Sequence, residues 1–461
     1  MIYFDYSMLK ENILDKVLFS VKKLIPKSVF NFFQPAYHAI LAYTGALVYG
    51  FPSKKLKVIG VTGTKGKSTV VYLITKILEA DLEVERPSGV KLNVQVGGVA
   101  ACGSLGYKIK DKEWPNTLKM TMPGRFRLQK LLAEAVKAGC EYFVLEVTSE
   151  GIKQKRHLGI SFDCAVFTNL HKEHLESHGS FENYYQAKQE LFNKTKNIHV
   201  INADDQHTDL FGNFPAKHKI FFGLKKGDLV ADKVKLTQKG TSFELYGTYF
   251  DINLAGEFNV MNCLAALAVG AMYKIDLPSM KPALESIKLI PGRMEFLQRE
   301  PFNVVVDYAH TPDSLEAVYK TLKNELALRQ AQGSQNANKL VCVLGAAGGG
   351  RDKWKRPEFG RMAAQYCDEI ILTNEDPYDE KPEEILDQIA SGFSSATSNK
   401  QQVTSKILDR KEAIQKAISM AQKGDTVIIT GKGSETSMAA ARNKKIPWSD
   451  KQTVIDLLKS G

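Results

Sequence analysis

The stretch Val58-Ile59-Gly60-Val61-Thr62-Gly63-Thr64-Lys65-Gly66-Lys67-Ser68-Thr69 decides the fold class. It sets an apolar β-forming run, a glycine-rich turn and a helix-forming segment in immediate succession. A strand that ends in such a turn and feeds a helix is a phosphate cradle. The glycines let main-chain N–H groups converge on oxygens, and the helix N-terminus favours negative charge. Lys67 supplies a point charge for β- and γ-phosphates, and the Ser68 hydroxyl can ligate Mg²⁺. Valine at position 61 excludes the longer G-x4-G-K spacing, which leaves the shorter G-x-x-G-K-S form.

The same alternation extends outward. Residues 57–61 read as a buried strand, 68–79 as a helix, 142–147 and 163–168 as strands, and 181–193 as an amphipathic helix. Each strand ends in a polar cluster, where open α/β sheets place their ligands. A second series follows Pro291-Gly292, with strands at 303–307, 340–344, 369–373 and 426–430 and a helix at 312–326. Residues 329–338 (RQAQGSQNAN) read as a polar surface loop inserted into that series.

A chain of 461 residues exceeds the ~250 to 300 residues that one core serves. The expected fold is α/β: a short N-terminal segment (1–55), a central P-loop ATPase domain with a mostly parallel sheet (56–291), and a C-terminal Rossmann-like domain (292–461). With 44% hydrophobic and 25% charged residues, the composition excludes wholesale disorder. The net charge of +11 is spread over scattered lysines, which suits an anionic small substrate and argues against nucleic acid. The six cysteines show no CxxC pair and read as buried, reduced thiols. Met1-Ile2-Tyr3-Phe4-Asp5 carries no secretory pattern, and residues 36–51 are too short for a membrane span and read as a packed or interfacial helix. A cytoplasmic monomer is expected.

Glu146 closes an apolar run and would bring one carboxylate to the ligand edge of the sheet, where it could serve a metal ion. His171, His174 and His178 have spacings that could share a helical face and suggest zinc, but Gly179 follows at once and no cysteine accompanies them. An isolated Lys188 would read as a solvated helix lysine.

Taken together, these segments resemble the Mur ligases, which add amino acids to peptidoglycan precursors. The likeness is carried by Gly63-Thr64-Lys65-Gly66-Lys67-Ser68, by Thr168-Asn169-Leu170 through His174-Leu175 and His178-Gly179 to Ala187-Lys188, and by Gly256-Glu257-Phe258-Asn259. It continues through Pro291-Gly292-Arg293, Val306-Asp307-Tyr308-Ala309-His310, Gly348-Gly349-Gly350-Arg351 and Gly431-Lys432-Gly433-Ser434-Glu435. The tripeptide-synthesising type fits best.

That resemblance implies ATP and Mg²⁺ as cofactors and an acyl-phosphate route to an amide bond. It makes Lys67, Glu146, His174 and Lys188 the catalytic set, with Ser68, Glu146, His174 and a carbamoylated Lys188 as metal ligands. Gly63 to Thr69, Asn259, Arg293, Asp307 and His310 would bind ATP. Thr121, Thr148, Ser149, Gln154 and Arg156 would meet the precursor, and Arg351, Glu375, Asp376, Tyr378 and Glu435 the incoming amino acid.

The sequence also departs from the family pattern. Residues 1–55 are shorter than the family's uridine-binding first domain. Met122 and Glu150 replace a threonine and a histidine. Glu375-Asp376-Pro377-Tyr378 stands where the family has D-N-P-R, which removes the cation that reads diaminopimelate. A folate, polyglutamate or lipid-linked acceptor is the alternative with the same chemistry, and a non-catalytic nucleotide-binding subunit is the other.

Overall fold

The structure is a computed structural model that describes residues 27–84, 97–116, 120–236, 240–331, 338–395 and 403–460. The N-terminal start and most of the inserted polar loop, residues 332–337, lie outside the described residues.

The larger sheet has nine strands: β1 (Lys57–Thr62), β2 (Val99–Gly103), β3 (Gly106–Ile109), β4 (Lys112–Trp114), β5 (Tyr142–Glu146), β6 (Cys164–Phe167), β7 (Ile198–Asn202), β8 (His218–Gly223) and β9 (Leu229–Val230). Their order is β4-β3-β2-β5-β1-β6-β7-β8-β9, parallel except for the β2-β3-β4 edge. Strands buried on both faces are mostly apolar, and β5, β6 and β7 are buried throughout, with Glu146 and Asn202 at the ends of β5 and β7 and His199 inside β7 as the polar members. One face packs on the helices Lys67–Val84 and Glu257–Met272. The other packs on Arg125–Lys137 and Phe181–Lys194. Since β1 lies between β5 and β6, the segments leaving all three strands share one edge.

A small antiparallel sheet, β10 (Asp232–Leu236), β11 (Thr241–Leu245) and β12 (Thr248–Ile252), buries Phe243 and Phe250 in the first core. A six-stranded sheet then forms from β13 (Glu295–Gln298), β14 (Asn303–Asp307), β15 (Leu340–Leu344), β16 (Glu369–Leu372), β17 (Val403–Lys406) and β18 (Thr426–Thr430). Its order is β13-β14-β18-β15-β16-β17, parallel apart from β13. A hairpin of β19 (Ser437–Ala440) and β20 (Lys444–Pro447) completes the strands.

Three expectations change. The helix expected to end at 326 runs on to Ala331, because nothing in Arg329-Gln330-Ala331 breaks it. Helix α1 (Lys27–Val48) begins well before residue 36 and packs by Gly45 on the helix Arg125–Lys137, with the buried Ala42 and Ala46 beside Gly159. Two of the cysteines expected as thiols, Cys342 on β15 and Cys367 after the helix Lys355–Tyr366, form a disulfide. The strand–helix return brings their Cα atoms to 6.1 Å, within bonding reach. Cys102, Cys140, Cys164 and Cys263 are buried thiols. Among the described residues no helix is long and apolar enough to cross a membrane.

Candidate functional site

The turn after β1 is built around two glycines at positive φ, Gly63 (146°) and Gly66 (78°). A side chain at Gly63 would overlap the Thr168 hydroxyl, and one at Gly66 the Asn262 amide oxygen. Thr168 and Asn169, which follow β6, brace the loop. Thr168 Oγ1 donates to Lys65 O at 2.6 Å, and Asn169 Oδ1 accepts from Lys65 N at 2.8 Å. Thr64 Oγ1 accepts from His171 N at 2.9 Å and meets the Tyr184 hydroxyl at 3.1 Å. Lys67 Nζ folds onto Thr64 O at 2.8 Å.

Ser68 Oγ donates to Glu146 Oε2 at 3.1 Å, which joins the loop to the end of β5. The same carboxylate oxygen accepts Ser104 N at 2.8 Å, and Ser104 Oγ pairs with Thr121 Oγ1 at 2.8 Å. Arg293 Nη2 reaches Ser68 Oγ at 3.3 Å, its guanidinium 4.4 Å from the Tyr308 ring centre. Ser104 was not singled out in the sequence; as a turn residue after β2 it carries no motif.

Lys188 is fully buried, with Nζ donating to Gly63 O at 2.7 Å and lying over the Tyr184 ring. Burial, and then repulsion by Lys67, hold its pKa well below the ordinary lysine range despite Glu173 and Glu146. The shift favours the neutral amine over the ammonium.

The three histidines do not share a face. His174 sits at positive φ (56°), so the helix begins only at Leu175 and runs for four residues. His171 Nδ1 lies 3.4 Å from Asp313, while His178 Nε2 lies 3.2 Å from Ser149 Oγ and 3.6 Å from Glu150. Among the described residues no three His, Cys, Asp or Glu side chains are grouped to hold a metal. His174 Nε2 is 3.9 Å from Glu173 Oε1, an oxygen that also lies 3.7 Å from His310 Nε2 and 3.4 Å from Lys355 Nζ. Burial alone would push Glu173 up, but Lys355, His174, His310 and Lys67 together hold it well below the usual carboxylate range. Glu173 is the central acid of the cleft; a carboxylate between His171 and His174 was the available signal for it.

Further residues come from the six-stranded sheet. Asp307 ends β14 and accepts Met294 N at 2.7 Å and Ala309 N at 2.6 Å, which spends part of its capacity on the Pro291–Met294 turn. From the larger sheet's side, Asn259 on the helix Glu257–Met272 donates to Ala255 O at 2.8 Å and accepts from Asn262 at 3.1 Å. Lys432 Nζ contacts both Asp376 oxygens (2.9 and 3.0 Å) and Glu435, whose other oxygen accepts the Tyr308 hydroxyl at 3.1 Å. Glu375 lies beneath Gly431, and its Oε2 accepts no hydrogen bond among the described residues. Burial pushes it up to about 7, against Lys432 and Arg410. The Arg351 guanidinium lies beside the Tyr378 side chain.

At the far end Arg156 donates to Met122 O and, at 2.7 Å, to Gln154 Oε1; Arg125 donates to Gln154 O. Thr148 caps the short helix that follows it by accepting from Gly151 N at 3.0 Å.

Contacts between the two sheets' loops close the site. Lys65 meets Asp313 at 3.2 Å, Glu176 N donates to Asp352 Oδ1 at 3.0 Å, and Lys353 N donates to Glu176 Oε1 at 3.1 Å. Between them lies a cleft of about 750 Å³ lined by Lys67, Ser68, Glu146, His174, Asn259, Arg293, Asp307, His310 and Arg351. A neighbouring cavity of about 360 Å³ is lined by Arg351, Glu375, Asp376, Tyr378 and Glu435. A cradle for phosphate, a hard-oxygen pair at Ser68 and Glu146, and a guanidinium at the mouth of a second cavity fit phosphoryl transfer to a carboxylate.

Comparison with known proteins gives the same picture. The Mur ligase middle domain matches residues 61–270, and the Mur ligase glutamate ligase domain matches residues 292–433. UDP-N-acetylmuramoyl-L-alanyl-D-glutamate–2,6-diaminopimelate ligase 1 of Clostridium acetobutylicum is 36% identical over 91% of this chain and 81% of its own. A UDP-N-acetylmuramyl-tripeptide synthetase of a Roseiflexus species is 33% identical over 90% of this chain and 81% of its own. Among solved structures, a ligase of the first kind aligns with a TM-score of 0.58 at 29% identity, covering 93% of this chain and 83% of its own. Folylpolyglutamate synthase from Mycobacterium tuberculosis shares the fold, with a TM-score of 0.64 at 16% identity over 85% of this chain and 92% of its own.

Proposed function

The chain belongs to the Mur ligase family of ATP-dependent amide-forming ligases, and on that premise we propose that it joins an amino acid to a carboxylate of a UDP-N-acetylmuramoyl-dipeptide-like precursor in the cytoplasm. The observation that carries the reading is the single cleft in which the phosphate loop and Glu146 face Arg293, Asp307 and Arg351 from the second sheet, with Lys188 buried behind the loop on Gly63 O. The proposed division of labour falls at Pro291-Gly292. Residues 56–291 activate the carboxylate, and residues 292–461 deliver the amine.

The Gly63 and Gly66 cradle fits a triphosphate, since side chains there would fill the space. Ser68 Oγ and the Glu146 carboxylate are the hard oxygen donors that would hold Mg²⁺. Its charge would offset the negative charge that grows as the precursor carboxylate attacks the γ-phosphate. His174 and a carbamoylated Lys188 would complete that set, burial favouring the neutral amine, the form that takes up CO₂. Lys67 lies where its ammonium can follow the transferred phosphoryl group. Gln154 and Arg156 orient the precursor, and Arg351 takes the amino acid's α-carboxylate in a bidentate fork. The amine then attacks the acyl phosphate inside a site that excludes water.

With Tyr378 where the family pattern has arginine, and with Glu375, Asp376 and Glu435 around that cavity, the proposed amino acid lacks a distal carboxylate. The test is phosphate release from ATP and Mg²⁺ with the muramoyl dipeptide, screened against L-lysine, diaminopimelate and the common amino acids. Release that needs both dipeptide and one amino acid supports the reading. Release with no dipeptide pair, but with a folate or lipid-linked acceptor, would overturn the substrate assignment.

A further inference from the structure

Residues 28–53 contain no Asp, Glu, Lys or Arg, yet much of this run lies on the surface. Helix α1 presents Ile40 (65% exposed), Tyr43, Leu47 (68% exposed) and Val48 outward. Their spacing puts them on one face, opposite the buried Ala42, Gly45 and Ala46. A surface helix ordinarily turns charged residues to water; this one turns large apolar groups. Lysines stand at both ends of the run: Lys22, Lys23 and Lys27 before it, Lys54 and Lys55 after it, the last two exposed. The helix is not apolar enough to cross a bilayer. An apolar stripe between basic ends is the pattern of a helix that lies within an anionic lipid interface, its apolar face among acyl chains and its lysines among headgroups.

The stripe is also placed at one end of the active cleft. Gly45 packs against Phe126 and Gln129 on the helix that starts at Arg125. Arg125 donates to Gln154 O, beside Arg156, and lies near Tyr37 of α1.

We propose that α1 docks the protein onto an anionic membrane surface through Ile40, Tyr43, Leu47 and Val48, turning the Arg125–Gln154–Arg156 end of the cleft toward the bilayer. This goes beyond the ligase reading and does not depend on it, because docking is measured without turnover.

The test floats the full chain on vesicles of phosphatidylglycerol and phosphatidylcholine, with pure phosphatidylcholine vesicles as the control. The wild type is expected to float with the anionic vesicles, less so in high salt. Ile40→Glu with Leu47→Glu should lower the bound fraction about tenfold or more. Phosphate release on a soluble acceptor should be unchanged. Lys54→Glu with Lys55→Glu, which leaves the stripe intact, should also reduce binding and reads the same question if the first variant fails to fold. The proposal is overturned if the wild type stays unbound, or if both variants bind as well as it does. It is equally overturned if light scattering shows a wild-type dimer that Ile40→Glu with Leu47→Glu renders monomeric, since a second copy would then cover the stripe.

Discussion

Lys355 Nζ, carried by the six-stranded sheet's side of the cleft, lies 3.4 Å from Glu173 Oε1 on the other side, and both residues are buried. Breaking a buried pair by removing one partner costs ~3 to 5 kcal/mol where the remaining charge has no counterion; Lys355 keeps Asp352 Oδ2 at 3.4 Å, so the loss here is smaller. Glu173→Gln is therefore expected to lower kcat/KM by about 10 to 10². Lys355→Met in the same chain should restore part of the loss, which a double-mutant cycle would measure. Equal and additive losses would show that the pair does not couple the two sides.

Lys188 should tolerate no ordinary replacement. Lys188→Ala is expected to abolish amino-acid-dependent phosphate release while ADP still binds, since Nζ contacts the loop only at Gly63 O. Short-chain carboxylic acids should restore part of the rate by occupying the vacated volume with an anion. Full activity in the variant would remove Lys188 from the chemistry.

Gly66→Ala has to place a methyl group against Asn262 Oδ1 at a φ of 78°. The strain of a non-glycine residue there is about 1 to 2 kcal/mol before any steric cost. ADP affinity should fall by about tenfold or more in calorimetry. Asn262→Ala, which opens the space, should recover part of it.

Glu375 should set a pH dependence of stability. The folded carboxyl, pushed up to about 7, keeps its proton through a window in which the unfolded chain has released its own from about 4.5. The folded state binds more protons there, so stability falls as pH rises from about 4.5 to about 7, by up to ~3 kcal/mol, and then levels off. Glu375→Gln should flatten that slope in denaturant melts at about pH 5 and about pH 8. An unchanged slope would assign it to another group.

What could be read from the sequence follows from the distance over which each feature acts. The phosphate loop is local: glycines, lysine and serine sit within six residues, so their chemistry is visible before any fold is known. Strands such as Asn303–Asp307 are legible because burial on both faces forces unbroken apolar runs. Glu173 and Lys355 are 182 residues apart, and neither is unusual until the two sheets are brought together. Ser104 acts through its main-chain N–H, which leaves no side-chain signature. The Cys342–Cys367 bond leaves no CxxC signature, because its two cysteines are 25 residues apart and only the strand–helix return brings them together. The i, i+3, i+7 spacing of three histidines fits a shared helical face, but the left-handed turn at His174 separates them.

Arg293 lies two residues from Pro291, close to the point about which the second sheet's body would swing, yet it already touches Ser68. Points near a pivot travel little, whereas Arg351 and Lys355 lie further from it along the chain and its fold. A swing about Pro291 would therefore leave the Arg293–Ser68 contact nearly in place while parting Lys355 from Glu173. The phosphate loop would keep its guanidinium throughout such a swing, and the buried carboxylate at the other end would lose its ammonium.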